Sequence, residues 1–92
     1  MGKVECFSLP NLKLILYSND HLPVHFHVIG SKWEIKVYIE TTTRSLLHYS
    51  IKWSRLRQKT PSAKSLRAIA AKVCDHRLQL LEEWERKVLC EL

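Results

Sequence analysis

Two histidines at alternate positions, His25 and His27, are the residues of this sequence best suited to chemistry. If their segment is a β-strand, both side chains project from one face of a sheet about 7 Å apart. A hairpin turn at Gly30-Ser31 would set Glu34 opposite His27 and Lys36 opposite His25. The candidate catalytic group is therefore His25, His27, Glu34 and Lys36.

Paired imidazoles suit acid–base catalysis, because the unperturbed pKa of histidine is close to neutrality. One ring could take the 2′-hydroxyl proton of RNA while the other protonates the leaving oxygen. Lys36 and Arg44 could then stabilise the charge that builds on the phosphate. If the protein is an enzyme, the pattern predicts a ribonuclease that uses His25 and His27.

The same histidines also suit a divalent metal. Neutral imidazole is a common zinc ligand, so His21, His25 and His27 form a candidate zinc site in a small metal-binding protein. A third interpretation makes His25 and His27 structural residues of a polar sheet face, hydrogen-bonded to Glu34. The spacing leaves all three alternatives open, and the isolated His48 and His76 are expected to be structural or surface residues.

A β-hairpin is the clearest element around these residues. With the two-residue loop, Val28 faces Trp33 and Phe26 faces Ile35, so that apolar side chains share one face and polar side chains the other. The whole chain predicts five strands and a helix, at about 4–8, 12–17, 24–29, 32–40, 46–53 and 61–89. We expect an α+β fold, in which a small antiparallel sheet of three to five strands packs against a long C-terminal helix.

The helical segment has a recognisable start. Thr60 suits the N-cap and Pro61 the first helical position. The apolar spacing is interrupted near Asp75, which predicts either one long helix or two with a bend there. Glu83 and Lys87 are expected to pair on the solvent side of the helix. Two of the three tryptophans, Trp33 and Trp84, fall on apolar stripes and should pack in the core.

Positive charge is concentrated in the middle of the chain. The formal net charge is +6, and no acidic residue lies between Glu40 and Asp75. Such a segment suits an anionic partner, either RNA or an acidic protein. The candidate binding residues are Arg44, Lys52, Trp53, Arg55, Arg57, Lys59, Lys64 and Arg67.

Length and composition indicate one domain over residues 1–92, because a chain of 92 residues can bury a single core. No apolar run is long enough for a membrane span, and the three cysteines fit neither a disulfide framework nor a zinc knuckle. We expect a soluble cytoplasmic protein, with an exposed sheet edge or the long helix available for a homodimer.

The segment from Asn19 to Val28, with its Asp-His-Leu-Pro-Val-His-Phe-His core, resembles the domain of unknown function 4160 family of small prokaryotic proteins. Gly30, the strand from Trp33 to Val37 and the Leu-Leu-Glu-Glu-Trp-Glu segment at 80–85 are similar to later parts of that family. Val24 replaces the second proline of the family motif, and residues 44–60 are longer and more basic than the family leads us to expect.

The resemblance implies a function. Family members are often encoded beside a small partner in an arrangement like a type II toxin–antitoxin pair, in which the histidine protein is the toxin. It implies that His21, His25, His27 and Glu34 form the site, and that the partners are a small acidic antitoxin and RNA or the translation machinery. The alternative is a non-enzymatic protein- or RNA-binding module with structural histidines.

Overall fold

A computed structural model describes residues 2–17, 22–53 and 59–88 of the chain. His21 of the predicted metal group, and Arg55 and Arg57 of the predicted binding residues, lie outside these residues. The secondary structure comprises five strands and two helices: β1 (Gly2–Lys3), β2 (Lys13–Leu16), β3 (His25–Ile29), β4 (Glu34–Tyr38), β5 (Tyr49–Ile51), α1 (Ala63–Asp75) and α2 (Arg77–Lys87). The predicted α+β class is confirmed.

The strands form one antiparallel sheet in the order β1-β2-β3-β4-β5, so each strand pairs with its neighbours in sequence. Sequential hairpins explain this order, because short connections favour antiparallel neighbours. The histidine-bearing strand β3 is therefore the central strand. It is flanked on both sides by paired backbone, which holds its side chains in fixed positions.

The register of the β3–β4 hairpin differs from the prediction. His27 lies opposite Lys36 and His25 opposite Tyr38, because the loop contains four residues, Gly30 to Trp33, instead of two. The Gly30 N–H donates to the carbonyl of Trp33 at 2.9 Å and closes the loop. The shift amounts to two residues, so every side chain remains on its predicted face.

Gly30 is required in this loop because the Trp33 indole packs against it. A Cβ atom at position 30 would lie 2.3 Å from Cε2 of the Trp33 ring, and that ring is buried. We expect Gly30→Ala to lower the free energy of unfolding by about 1–3 kcal/mol through overpacking. Urea denaturation measures this, with Ser31→Ala at the adjacent exposed position as the control. Equal stability of the two variants would contradict the assigned contact.

The N-terminal strand is shorter and earlier than predicted. A strand was expected at 4–8, but β1 ends at Lys3, and beyond Val4 the chain leaves the sheet. The reason is a side chain of α2, since the Glu83 carboxylate accepts hydrogen bonds from the backbone N–H groups of Glu5 and Cys6 at 2.7 and 2.9 Å. These donors are thereby bound to the helix instead of to a neighbouring strand.

The helical segment also differs in detail. Its N-cap is Ser62, whose Oγ accepts from the Ser65 N–H at 3.1 Å, so the predicted Thr60 cap and Pro61 first position are wrong. Two helices meet at His76, beside the predicted bend at Asp75, and the backbone there leaves the helical region with φ −122°. The His76 ring stacks on Phe7 at 5.2 Å, which gives this histidine a structural role.

Both helices pack on one face of the sheet. Alternate strand residues meet the apolar stripes of α1 and α2 there, and Trp33 and Trp84 are buried as predicted. The fully buried residues of this core include Leu16, Phe26, Val28, Ile35, Val37, Ile39, Ile69, Val73 and Leu80. Within the described ranges, neither helix has the length and apolar character needed to span a bilayer.

The position of Glu83 differs most clearly from the prediction for the helical segment. It was expected on the solvent side, yet it is buried and takes part in a cluster with Lys87 and the N-terminal segment. Lys87 Nζ contacts Glu83 at 2.9 Å, Glu5 at 2.6 Å and the Lys3 carbonyl at 2.6 Å.

Burial raises the pKa of the Cys6 thiol to about 12, reinforced by its hydrogen bond to Glu83, so this thiol stays protonated.

Candidate functional site on the histidine face

The histidine face is the side of the sheet opposite to the helices. Strand alternation and the observed registers place on it Lys3, Lys13, Ile15, His25, His27, Ile29, Glu34, Lys36, Tyr38 and Ser50. Although this face lies away from the helices, His25 and His27 are only 5% and 3% exposed, and Glu34 is 3% exposed. The face therefore contains a buried polar centre, which the sequence pattern did not indicate.

The His25 ring is oriented by the backbone just before its strand. Its Nδ1 lies 2.7 Å from the Pro23 carbonyl oxygen. Since a carbonyl oxygen can only accept, Nδ1 carries the proton and donates it. In the neutral ring, the lone pair is then on Nε2, which is the nitrogen suited to act as a base or a metal ligand.

The His27 ring is oriented in the same way by a carboxylate. Its Nδ1 lies 3.2 Å from Oε2 of Glu34, so Nδ1 is again the donor. Glu34 lies opposite Ile29 and reaches His27 diagonally across the hairpin. Lys52 Nζ lies 3.5 Å from the same carboxylate oxygen and is a positively charged partner for it. The predicted contact between His27 and Glu34 is thus present, although the predicted register is not.

Aromatic side chains lie on both sides of the histidine pair and form a row of rings with it. The His25 and His27 ring centroids are 5.3 Å apart, Tyr17 meets His27 edge-on at 4.5 Å, and Tyr38 lies 6.0 Å from His25. Tyr38 in turn lies 4.7 Å from His48. Neither Tyr17 nor His48 was predicted to belong to this row. The alternation of Tyr17 with Ile15 could have placed Tyr17 on the histidine face. No sequence pattern around His48 predicts its position, because a loop brings it next to Tyr38.

Lys36 lies on the histidine face, as predicted, but opposite His27 instead of His25. It is half-buried and lies directly opposite His27 in the β3–β4 pairing. The structure therefore brings together all four residues of the predicted catalytic group. Arg44, the predicted second phosphate contact, is instead on the helix side, where its guanidinium meets the Asp75 carboxylate.

The described members of the predicted basic binding residues lie in separate parts of the structure. Lys52 belongs with the histidine face through Glu34, and Trp53 beside it is 60% exposed. Arg44 and Arg67 line a separate cavity of about 280 Å³ beneath α1. The remaining described members, Lys59 and Lys64, are exposed.

The structure describes two of the three residues of the predicted zinc site, His25 and His27. Within the described ranges, His, Cys, Asp and Glu side chains form no group of three that could hold a metal ion. The predicted group needs His21, which lies outside those ranges. A zinc site at His21, His25 and His27 therefore stays a prediction.

The fold and the arrangement of the histidine face define the class of this protein. It is a small α+β domain whose central strand carries two buried histidines, each oriented through Nδ1 and flanked by tyrosine and lysine.

The chain belongs to the family described as Domain of unknown function (DUF4160), whose family model matches residues 11–85. The matched span begins before β2 and includes β3, β4, β5, α1 and most of α2. The predicted resemblance to this family is confirmed. Comparison with curated proteins and with solved structures gave no match.

Proposed function

We propose that this protein is the toxin-like component of a type II toxin–antitoxin pair and that its histidine face cleaves RNA in the cytoplasm. One observation carries the proposal. His25 and His27 lie 5.3 Å apart and each ring is oriented through Nδ1, which supports their use as an acid–base pair. An acidic antitoxin would complement the net charge of +6.

The two rings have different partners and therefore different roles. His27 Nδ1 donates to the Glu34 carboxylate, and a neighbouring carboxylate favours the protonated form of an imidazole, whereas His25 Nδ1 donates to the Pro23 carbonyl. We therefore give His27 the role of the acid and His25 the role of the base.

The reaction that these roles support is internal transesterification of RNA. His25 Nε2 takes the proton of the 2′-hydroxyl, and the 2′-oxygen forms a bond to the adjacent phosphorus. The bond from phosphorus to the 5′-oxygen breaks, and His27 gives its proton to that oxygen. The products are a 2′,3′-cyclic phosphate and a 5′-hydroxyl, and Lys36 stabilises the negative charge on the phosphate in between.

Asparagine variants test this role without removing the orienting contacts. The side-chain amide of Asn places an N–H donor near the position of histidine Nδ1 but has nothing at the position of Nε2. We expect induced expression of the wild type to slow growth and degrade RNA, and we expect His25→Asn and His27→Asn to abolish both effects. Growth curves, RNA electrophoresis and 3′-end analysis for cyclic phosphate measure this, with Gln79→Ala on the exposed side of α2 as the control.

The burial of both rings favours a second candidate, a non-enzymatic binding module in which the histidines are structural. Thermal denaturation of the same variants separates the two. Asparagine variants that melt like the wild type but lose activity support the nuclease. Variants that melt much lower, beside a wild type that leaves growth and RNA unchanged, support the binding module.

A further inference from the structure

The histidine face is cationic in a way that the sequence analysis did not anticipate. Three of its lysines, Lys3, Lys13 and Lys36, come from β1, β2 and β4, and Lys52 follows β5 with its ammonium at Glu34. Among the strand residues of this face that the structure describes, Glu34 is the only carboxylate, and it is buried against His27 and Lys52. The face therefore presents an excess of positive charge around the histidine pair.

Aromatic rings lie among these charges. Tyr17 and Tyr38 stand on either side of the histidine pair, and both residues are half-buried. The Tyr38 hydroxyl hydrogen-bonds Ser50 Oγ at 3.1 Å on the neighbouring strand, and this contact limits rotation of the ring. Oriented rings alternating with cations are the combination that binds unpaired nucleotides, because bases stack on the rings and phosphates meet the cations.

We propose that the histidine face is a binding platform for single-stranded RNA, with base-stacking positions at Tyr17 and Tyr38 and phosphate contacts from Lys3, Lys13, Lys36 and Lys52. This inference rests on the proposed function and names the substrate class of the same site. Duplex RNA fits less well, because its bases are already stacked on one another and cannot pack on a tyrosine ring. An acidic protein would satisfy the lysines but gives no role to the rings beside them.

The platform is tested by fluorescence anisotropy on the full chain. The probe is a fluorescein-labelled ten-nucleotide uridine oligomer with 2′-O-methyl groups, which keeps RNA geometry but lacks the attacking hydroxyl. Binding is thus measured independently of cleavage. We expect Tyr17→Leu and Tyr38→Leu each to weaken binding about 5- to 150-fold, the range found for loss of one base–aromatic stack.

The charged residues are tested with a matched pair of double variants. Lys13→Gln/Lys36→Gln removes two charges from the histidine face, and Lys72→Gln/Arg86→Gln removes two charges from α1 and α2 on the helix side. We expect the face variant to bind at least tenfold more weakly and to reduce the slope of log affinity against log salt by about 0.7 per lost phosphate contact. We expect the helix variant to bind within about twofold of the wild type.

Several results would overturn the platform. They are absence of binding, equal affinity for a duplex of the same length, tyrosine variants that bind like the wild type, or a larger loss in the helix variant than in the face variant. Failure of the nuclease proposal is distinct, because binding that depends on the face without cleavage of natural RNA supports the platform and rejects the reaction. Cleavage that persists in the tyrosine and lysine variants rejects the platform alone.

Discussion

Replacing Glu83 by alanine is expected to lower the free energy of unfolding by about 3–5 kcal/mol, the range for removing one partner of a buried ion pair. The variant leaves the backbone N–H groups of Glu5 and Cys6 without their acceptor and the Lys87 ammonium without its closest helix partner. Together these groups connect α2 to the N-terminal segment. Urea denaturation followed by circular dichroism measures the loss.

Glutamine at position 83 should have an intermediate effect. It keeps one acceptor oxygen, whereas the two backbone donors use both oxygens of Glu83, one each. We expect a loss of about 1–3 kcal/mol, corresponding to one unsatisfied buried donor. Glu82→Ala, one residue earlier and exposed, is the control and should change stability by less than about 0.5 kcal/mol. Equal stability of the Glu83 and Glu82 variants would rule out the assigned cluster.

The same carboxylate predicts a pH dependence. Burial by itself would raise the pKa of Glu83, but hydrogen bonds from the Cys6 thiol, the backbone and Lys87 lower it below its ordinary value of 4.5. The stabilisation is therefore complete above about pH 4.5 and is lost as the pH falls through the lower folded value. The difference in stability between wild type and Glu83→Gln should shrink as the pH is lowered through this range.

Phe26→Ala is the second change with a large expected effect. Phe26 is fully buried on the helix side of β3, and its ring packs edge-on against Phe7 at 6.2 Å. We expect the variant to lose about 3–5 kcal/mol, since truncation leaves a cavity in the centre of the sheet. His25 and His27 flank this residue on the same strand, so the packing of Phe26 also holds the histidine face in register.

A milder variant keeps this test measurable if the alanine variant does not fold. Phe26→Leu fills much of the space and should lose less stability than the alanine change while retaining the sheet. Leu78→Ala on α2 removes an exposed apolar side chain and serves as the control, with an expected change below about 0.5 kcal/mol. A Phe26→Ala protein as stable as the Leu78→Ala protein would contradict the placement of Phe26 in the core.

The faces of the hairpin could be predicted from the sequence, but its register could not. Side chains alternate with a period of two, so a slip of two residues leaves the same residues on the same faces. The pattern around His27 is equally consistent with Glu34 or Lys36 opposite it. The deciding contact is the packing of the Trp33 indole on Gly30 in a four-residue loop, and a two-residue turn rule does not include it.

Other parts of the site depend on contacts between distant residues. The i,i+4 spacing of Glu83 and Lys87 is typical of an ion pair on the solvent side of a helix. The burial of Glu83 depends on hydrogen bonds from the backbone N–H groups of Glu5 and Cys6, more than 70 residues earlier in the chain. His48 is held beside Tyr38 by its backbone carbonyl, which accepts from the Tyr38 N–H, and by hydrogen bonds with Thr41 and Thr42. Local periodicity predicts which face a residue occupies, and it has no information on which segment covers that face.

The lengths of the outer strands affect how copies of this chain can associate. β1 has two residues and β5 has three, so each edge offers very few backbone groups to an added strand. Short edges are one of the ways in which sheet proteins avoid aggregation. We therefore expect extension of the sheet from one molecule into the next to be weak, and the protein to resist amyloid-like assembly even though its central strands are strongly apolar on one side.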